Sequence, residues 1–253
     1  MLRIEDVHCV LLRPRGAQNL GAVARLMKNF GLHNLTLVDP RLGSWAEAWM
    51  MAVHAHDVLR RTQSVPRLQD ALADARWVVG TSMRPLPGQR VLTPRELARE
   101  AKSRGAPTLL FGDEESGLHN AELLRCHDVS MIPASPAQPS LNLAQAVLVY
   151  AWEFSMALLD EEAEASSAHT LAAATPRPPT VRPSVATLAE ERSYQHIEGA
   201  LRRLLDTSRF VDVDRPGHGV AEMMQTLRRA SLTDVEARLW LVALKRSLPP
   251  TPR

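Results

Sequence analysis

Between Ile132 and Val147 the chain reads Ile132-Pro-Ala-Ser-Pro-Ala-Gln-Pro-Ser-Leu-Asn-Leu-Ala-Gln-Ala-Val147. Pro133, Pro136 and Pro139 fix φ and withhold N–H donors, so this loop is stiff. Ser140 and Asn142 can cap the helical pattern that follows. A stiff loop over a helix N-terminus can seat a small polar ligand, and it can equally be an ordinary strand–loop–helix junction. Two further stretches place polar groups just after predicted strands. Asn19-Leu-Gly-Ala-Val-Ala-Arg25, running on to Asn29-Phe-Gly31, offers an amide and a guanidinium. Taken alone, Asn19 is a helix N-cap and Arg25 a surface ion-pair partner. Leu109-Leu-Phe-Gly-Asp-Glu-Glu-Ser-Gly-Leu118 sets three acids between two glycines, in a tight polar turn.

In their order and spacing, these three stretches resemble the signature motifs of the SpoU-type branch of the SPOUT RNA methyltransferases: Asn-x-Gly-x-x-x-Arg, Phe-Gly-x-Glu-x-x-Gly-Leu, and Ile-Pro followed by Ser-Leu-Asn. The resemblance implies methyl transfer from S-adenosylmethionine to RNA, with Arg25, Asn19, Glu114, Ser140 and Asn142 in the catalytic set. Thr81, Ser82, Met83, Gly112, Gly117, Ile132, Pro133, Ser140 and Leu141 would line the pocket of the methyl donor. A ribose 2′-hydroxyl is a very weak acid, and a cation beside it stabilises the alkoxide that develops. The family's arginine has been proposed as general base with help from a substrate phosphate. Arginine stays protonated at ordinary pH, so alkoxide stabilisation and orientation rank above literal proton abstraction for Arg25. Asn19 could hydrogen-bond Arg25 or the ribose, and Glu114 could orient Arg25 through a charge-assisted pair. Two departures stand out. Asp113-Glu114-Glu115 is acidic where the family often has a basic neighbour, and Ser135-Pro136 stands where Asn-Pro is usual.

The elements that must hold these residues alternate between strand and helix. Apolar runs at Val7–Leu12, Leu35–Val38, Trp77–Ser82, Thr108–Phe111 and Val129–Ile132 read as buried strands. Helical patterns lie at Leu20–Phe30, Trp45–Leu59 (as one helix or two), Val65–Ala73, from Thr93-Pro94 onward, Asn120–Leu124 and Ser140–Leu159. Met83–Leu92, broken by Pro85, Pro87 and Gly88, reads as loop. Such alternation predicts an α/β domain with a mainly parallel sheet and helices on both faces. Ligands on such sheets sit at the carboxyl ends of the strands, so the loops at Thr81, Gly112 and Pro133 can converge. The resemblance adds a C-terminal trefoil knot, which no pattern in the chain would suggest.

The first 160 residues form the expected catalytic domain. Residues 161–185 turn to Ala, Ser, Thr and Pro and read as a linker containing Pro176, Pro178, Pro179 and Pro183. Residues 186–253 carry helical patterns at 186–206, 220–230 and 233–247, the last opened by a Thr233/Glu236 capping box. Arg202, Arg203, Arg228 and Arg229 could touch RNA phosphates or form a solvated basic face. Arg209-Phe210, Arg215-Pro-Gly217, Leu227-Arg-Arg229 and Glu236 resemble the C-terminal extension of the TrmJ-type branch. That likeness implies 2′-O-methylation of tRNA nucleotide 32 in the anticodon loop. Another tRNA site, rRNA, or a non-catalytic RNA-binding module are the alternatives.

The chain has 253 residues, 45% hydrophobic, 23% charged and 4% aromatic, with a net charge of +2 and pI near 8.8. So few aromatics argue against a platform of stacked bases. The mild positive charge does not by itself declare nucleic-acid binding. Cys9 and Cys126 read as small buried hydrophobes. His54-Ala-His56-Asp57 lacks a partner cluster, so no metal is expected. Neither a Gly-x-Gly-x-x-Gly turn nor a Gly-x-Ser-x-Gly elbow is present, which disfavours dehydrogenase and hydrolase chemistry. With no signal core and no apolar run of spanning length, a cytoplasmic protein without a membrane partner is expected. SPOUT domains pair as homodimers. A helix apolar on several faces at Leu143, Val147, Leu148, Tyr150, Trp152 and Phe154 suits that expectation.

Overall fold

The computed structural model of the chain describes residues 2–172, 187–207 and 218–248. Seven parallel strands form one sheet in the order β3-β2-β1-β6-β4-β7-β5. They are β1 (His8–Leu12), β2 (Asn34–Val38), β3 (Gln63–Val65), β4 (Val78–Thr81), β5 (Val91–Leu92), β6 (Thr108–Phe111) and β7 (Asp128–Ser130). The central strands are apolar throughout because both faces are covered. Alternation then sorts their side chains. Cys9, Leu11, Val79, Leu109 and Phe111 join one core cluster, while Val10, Leu12, Val78 and Leu110 join the other.

On the first face lie α1 (Ala17–Asn29), α2 (Trp45–Met51), α3 (His56–Arg61), α5 (Pro94–Arg104) and the long α7 (Leu143–Ala172). On the second lie α4 (Leu68–Leu72) and α6 (Asn120–Leu123). Val23 and Met27 point α1 into the core and leave Arg25 exposed. Thr93 and Glu96 close a capping box at the start of α5, with Pro94 in the first turn. Pro there fits because the missing N–H would have had no helical partner.

Several boundaries differ from the sequence reading. α1 starts at Ala17, capped by the Gly16 backbone without a side-chain bond, so Asn19 lies inside the helix and is not its cap. The segment 65–73 is split between β3 and the short α4. Val91–Leu92, expected as loop, pairs with β7 as an edge strand. α7 starts at Leu143 and continues to Ala172, beyond Asp160 and into the stretch read as linker. Its Leu143–Asp160 portion is long and apolar enough to cross a membrane by length and composition, contrary to the expectation from the apolar runs. Val147, Tyr150, Ala151 and Phe154 are nevertheless packed in the core.

The C-terminal helices α8 (Glu191–Thr207), α9 (His218–Ala230) and α10 (Asp234–Ser247) share their own apolar cluster around Tyr194, Ile197, Leu201 and Met224. α10 opens with the expected Thr233/Glu236 capping box. The start of α8 docks on the chain leading into β4: Glu191 N donates to Ala75 O at 2.6 Å and Arg192 N to Ala73 O at 2.8 Å. Arg104 Nη2 donates to Ser231 Oγ at 2.5 Å. Arg228, expected among the phosphate contacts, is 1% exposed. It pairs with the buried Glu191 at 2.5 Å and lies over the Tyr194 ring, 5.5 Å from its centroid. The Pro176–Pro183, Arg209-Phe210 and Arg215–Gly217 features lie outside the described residues.

Candidate active site

A cavity of about 780 Å³ opens at the carboxyl ends of β4, β6 and β7. Thr81, Ser82 and Met83 line it from β4 onward, Gly112 and Gly117 from the turn after β6, and Ile132, Ser140 and Leu141 from the proline loop. Pro133 is not part of this lining. Gly117 has φ +66, a left-handed conformation natural to glycine. A Cβ on Gly112 would lie 2.0 Å from the Gly117 carbonyl carbon, so glycine is needed for the turn to close on itself. Asp113 holds the turn together. Its Oδ1 accepts from Glu115 N at 3.0 Å and Ser116 N at 2.7 Å, and its carbonyl accepts from Gly117 N at 2.9 Å. Burial acts to raise the Asp113 pKa, and these N–H groups together with Arg13 outweigh it, leaving the carboxyl below its usual range.

Three of the residues singled out in sequence meet beside this cavity. Asn142 Nδ2 donates to Asn19 Oδ1 at 2.9 Å. Asn19 Nδ2 donates to Glu114 Oε1 at 3.0 Å. Glu114 also accepts from Gly16 N at 3.0 Å and Arg15 N at 3.1 Å, tying the first turn of α1 to the acidic loop. Partial burial raises the Glu114 pKa, and the bonds from Asn19, Arg15 and Gly16 bring it below normal. Asn142 caps α7 as expected, its Oδ1 accepting from Ala144 N at 2.9 Å. Ser140 lines the cavity and does not cap.

Arg25 stands apart from this chain of bonds. It is exposed on α1 and has no hydrogen-bond or ion-pair partner among the described residues. Glu114 therefore orients Asn19 and the start of α1, and does not pair with Arg25 as expected. The acidic loop is matched by the basic loop before α1, which the sequence showed only as a run of charge. Arg13 bonds Asp113 and Glu122, and Arg15 pairs with Glu115 at 3.1 Å. Among the described residues, His54 and His56 belong to no cluster that could hold a metal. His56 Nε2 bonds Trp49 O at 2.9 Å, and Asp57 pairs with Lys28 at 2.6 Å.

Comparisons with known proteins show the family to which the chain belongs. A profile of the SpoU rRNA Methylase family matches residues 6–152. The tRNA (cytidine/uridine-2′-O-)-methyltransferase TrmJ of Salmonella typhimurium is 38% identical over 233 residues, 89% of this chain and 88% of that protein. The crystal structure of TrmJ from Z. mobilis ZM4 superposes with a TM-score of 0.78 at 26% identity, covering 95% of this chain and 98% of that one. A structure described as giving insight into 2-OH methylation of C/U34 on tRNA has a TM-score of 0.50 at 29% identity. It covers 61% of this chain and 97% of its own.

The chain belongs to the SpoU methylase family. It is accordingly a methyltransferase with S-adenosylmethionine as methyl donor. The cavity suits that donor. Its volume falls within the usual range for compact organic ligands. Leu118, Ile132, Leu141 and Ala146 supply apolar walls, and Thr81, Ser82 and Ser140 supply hydroxyls. Tyr150 also lines it, with a buried hydroxyl that has no hydrogen-bond partner among the described residues. Ser130, beside it, gives its own hydroxyl to Leu92 O.

Proposed function

We propose that this chain methylates a ribose 2′-hydroxyl of tRNA, at nucleotide 32 of the anticodon loop, and that it works as a homodimer. The observation that carries the reading is the Asn142–Asn19–Glu114 chain of bonds beside the cavity, with Arg25 unpaired on the same helix as Asn19.

The donor supplies an electrophilic methyl group on sulfur. Thr81, Ser82, Gly112, Gly117, Ile132 and Leu141, which line the cavity, would hold and shield it, partly through backbone groups. Glu114 and Asn142 fix Asn19 and the start of α1. Arg25, without an ion-pair partner among the described residues, would present a cation to the ribose 2′-oxygen as that oxygen gives its proton to solvent and takes the methyl group, with S-adenosylhomocysteine as the leaving group. A site prepared in advance for the negative charge on that oxygen costs no reorganisation during reaction.

The choice of nucleotide 32 rests on the C-terminal helices. The likeness to TrmJ from Z. mobilis extends over them, whereas the structure concerned with C/U34 covers 61% of this chain. Nucleotide 34 is therefore the second reading. For the dimer, α2 and α7 both pack on α1 and both leave large apolar side chains exposed. Trp152 is 52% exposed and Met50 69%, and apolar groups clustered in this way favour a partner surface.

The decisive test is transfer of a radiolabelled methyl group from S-adenosylmethionine to bulk tRNA, followed by mass mapping. A 2′-O-methyl on nucleotide 32 is expected. Modification only at 34, only on rRNA, or on a base overturns the target. Binding of tRNA without transfer overturns the catalytic reading.

A further inference from the structure

Arg13 is not among the residues that the resemblance places in the site, yet two parts of the cavity wall are tied to it, the Asp113 turn directly and His119 through Glu122. It ends β1 in a left-handed backbone conformation, φ +48, unusual for a side chain with a Cβ. Its N–H donates to Val38 O at 2.7 Å, anchoring it to β2. Its side chain is 15% exposed. Nε donates to Asp113 Oδ2 at 3.3 Å. Nη2 donates to Glu122 Oε2 at 3.2 Å, and Nη1 bonds the other Glu122 oxygen. Glu122 Oε2 also accepts from His119 N at 2.7 Å.

The two oxygens of Asp113 divide their work. Oδ1 gathers the N–H groups of Glu115 and Ser116 and so shapes the turn. Oδ2 faces Arg13. With its side chain 2% exposed, Asp113 cannot exchange this partner for bulk water without moving. Only a planar fork can hold Asp113 through one nitrogen and Glu122 through two others, which a point charge on a flexible stem cannot do.

We propose that Arg13 is a positioning residue for the methyl donor: by bracing Asp113 and Glu122 together against the end of β1, it sets the Gly112–Gly117 turn and the His119 wall in their donor-binding shape. The inference rests on the reading of the cavity as the donor site. It also gives the acidic loop a purpose. Asp113 is internal scaffolding, and Arg13 is committed to it and withheld from RNA phosphate.

The test is isothermal titration of the full chain with S-adenosylhomocysteine, with donor KM and kcat measured alongside. If the wild-type chain does not bind this probe, the pocket reading fails and the inference fails with it. If the wild type binds, the variants judge Arg13 alone. Losing charged hydrogen bonds to a buried carboxylate costs enough to weaken binding about tenfold or more, so Arg13→Met should do that. The loss should fall on donor KM much more than on kcat. Arg13→Lys should restore part of it. Glu122→Gln, which leaves the Asp113 bond in place, should have the smaller effect. Unchanged affinity in Arg13→Met overturns the proposal, as does a Glu122→Gln loss equal to that of Arg13→Met. Should Arg13→Met fail to fold, Arg13→Lys decides: wild-type affinity there overturns the proposal, and an intermediate loss upholds it.

Discussion

Arg228 Nη2 meets Glu191 Oε1 at 2.5 Å, and both side chains are almost completely removed from solvent. The pair joins α9 to the start of α8, where α8 docks on the catalytic sheet. Breaking a buried pair strands one charge and costs roughly 3–5 kcal/mol. Arg228→Ala should therefore lower the denaturant midpoint by a corresponding amount and loosen the docking of the C-terminal helices. Arg202, Arg203 and Arg229, all exposed, are the ones whose removal should flatten the salt dependence of tRNA binding. Filter binding across a salt series, run beside chemical unfolding, separates the two effects. An Arg228→Ala protein of unaltered stability would contradict the buried pair.

Arg25→Ala should abolish turnover while sparing fold and donor affinity. The side chain is exposed and has no partner among the described residues, so little packing is lost. Removing one preorganised charge from a developing anion costs on the order of a hundredfold to a thousandfold in rate. Single-turnover transfer at saturating tRNA is the measurement. A defect confined to tRNA affinity would reduce Arg25 to a phosphate contact.

Glu114→Gln should be worse than an isosteric change suggests. The carboxylate receives donors from Arg15 N, Gly16 N and Asn19 Nδ2, and an amide has one oxygen where two are needed. Its NH2 would also face donors. We expect the first turn of α1 to loosen, with faster amide exchange at Arg15 and Gly16 and reduced transfer. Unchanged exchange there would show that Glu114 does not hold α1.

His127 provides a pH signature. Burial, and then the nearby Arg228 and Arg104, push its pKa down to about 3, from an ordinary value near 6.5. Its Nδ1 accepts from Val78 N at 3.0 Å, and its ring meets Tyr194 edge-on at 5.2 Å. Below about pH 6.5 the unfolded chain takes up a proton that the folded one refuses. This contribution is thus complete above 6.5 and is lost progressively as pH falls toward 3. Melting temperature should drop across that window, and His127→Asn should show a shallower slope from a lower starting point. A variant with the wild-type slope would rule out His127 as the source.

Trp152→Glu should convert a dimer into a monomer in sedimentation equilibrium at micromolar concentration. The exposed indole meets Phe30 edge-on, with ring centroids 6.4 Å apart, so the substitution leaves the core behind it intact. A dimer that survives the change would place the interface elsewhere.

Much of this was legible in the chain because its signals were local. The capping boxes at Thr93 and Thr233 and the apolar strand runs each depend on residues a few positions apart. What escaped depends on distant partners. Asn19 looked like a cap because an asparagine near a helix start usually is one, but Glu114 and Asn142 claim its side chain. Arg13-Pro-Arg15 looked like a free basic loop until the acidic loop lay across it. Helical period alone could not say that Arg228 is buried while Arg203 is exposed. Val91–Leu92 is too short a strand to be seen between Pro87 and Pro94.

The strand order has a consequence for how the protein is made. β1 is flanked by β6, whose residues follow about a hundred positions later, and the cavity closes only when Asn142 reaches Asn19. A chain emerging from the ribosome can pair β1 with β2 early, but the other edge of β1 must wait until β6 has appeared. Contacts of such long sequence separation slow folding and leave unpaired strand edges exposed meanwhile. The enzyme should therefore refold slowly from denaturant and be more prone to aggregate during synthesis than its finished structure suggests.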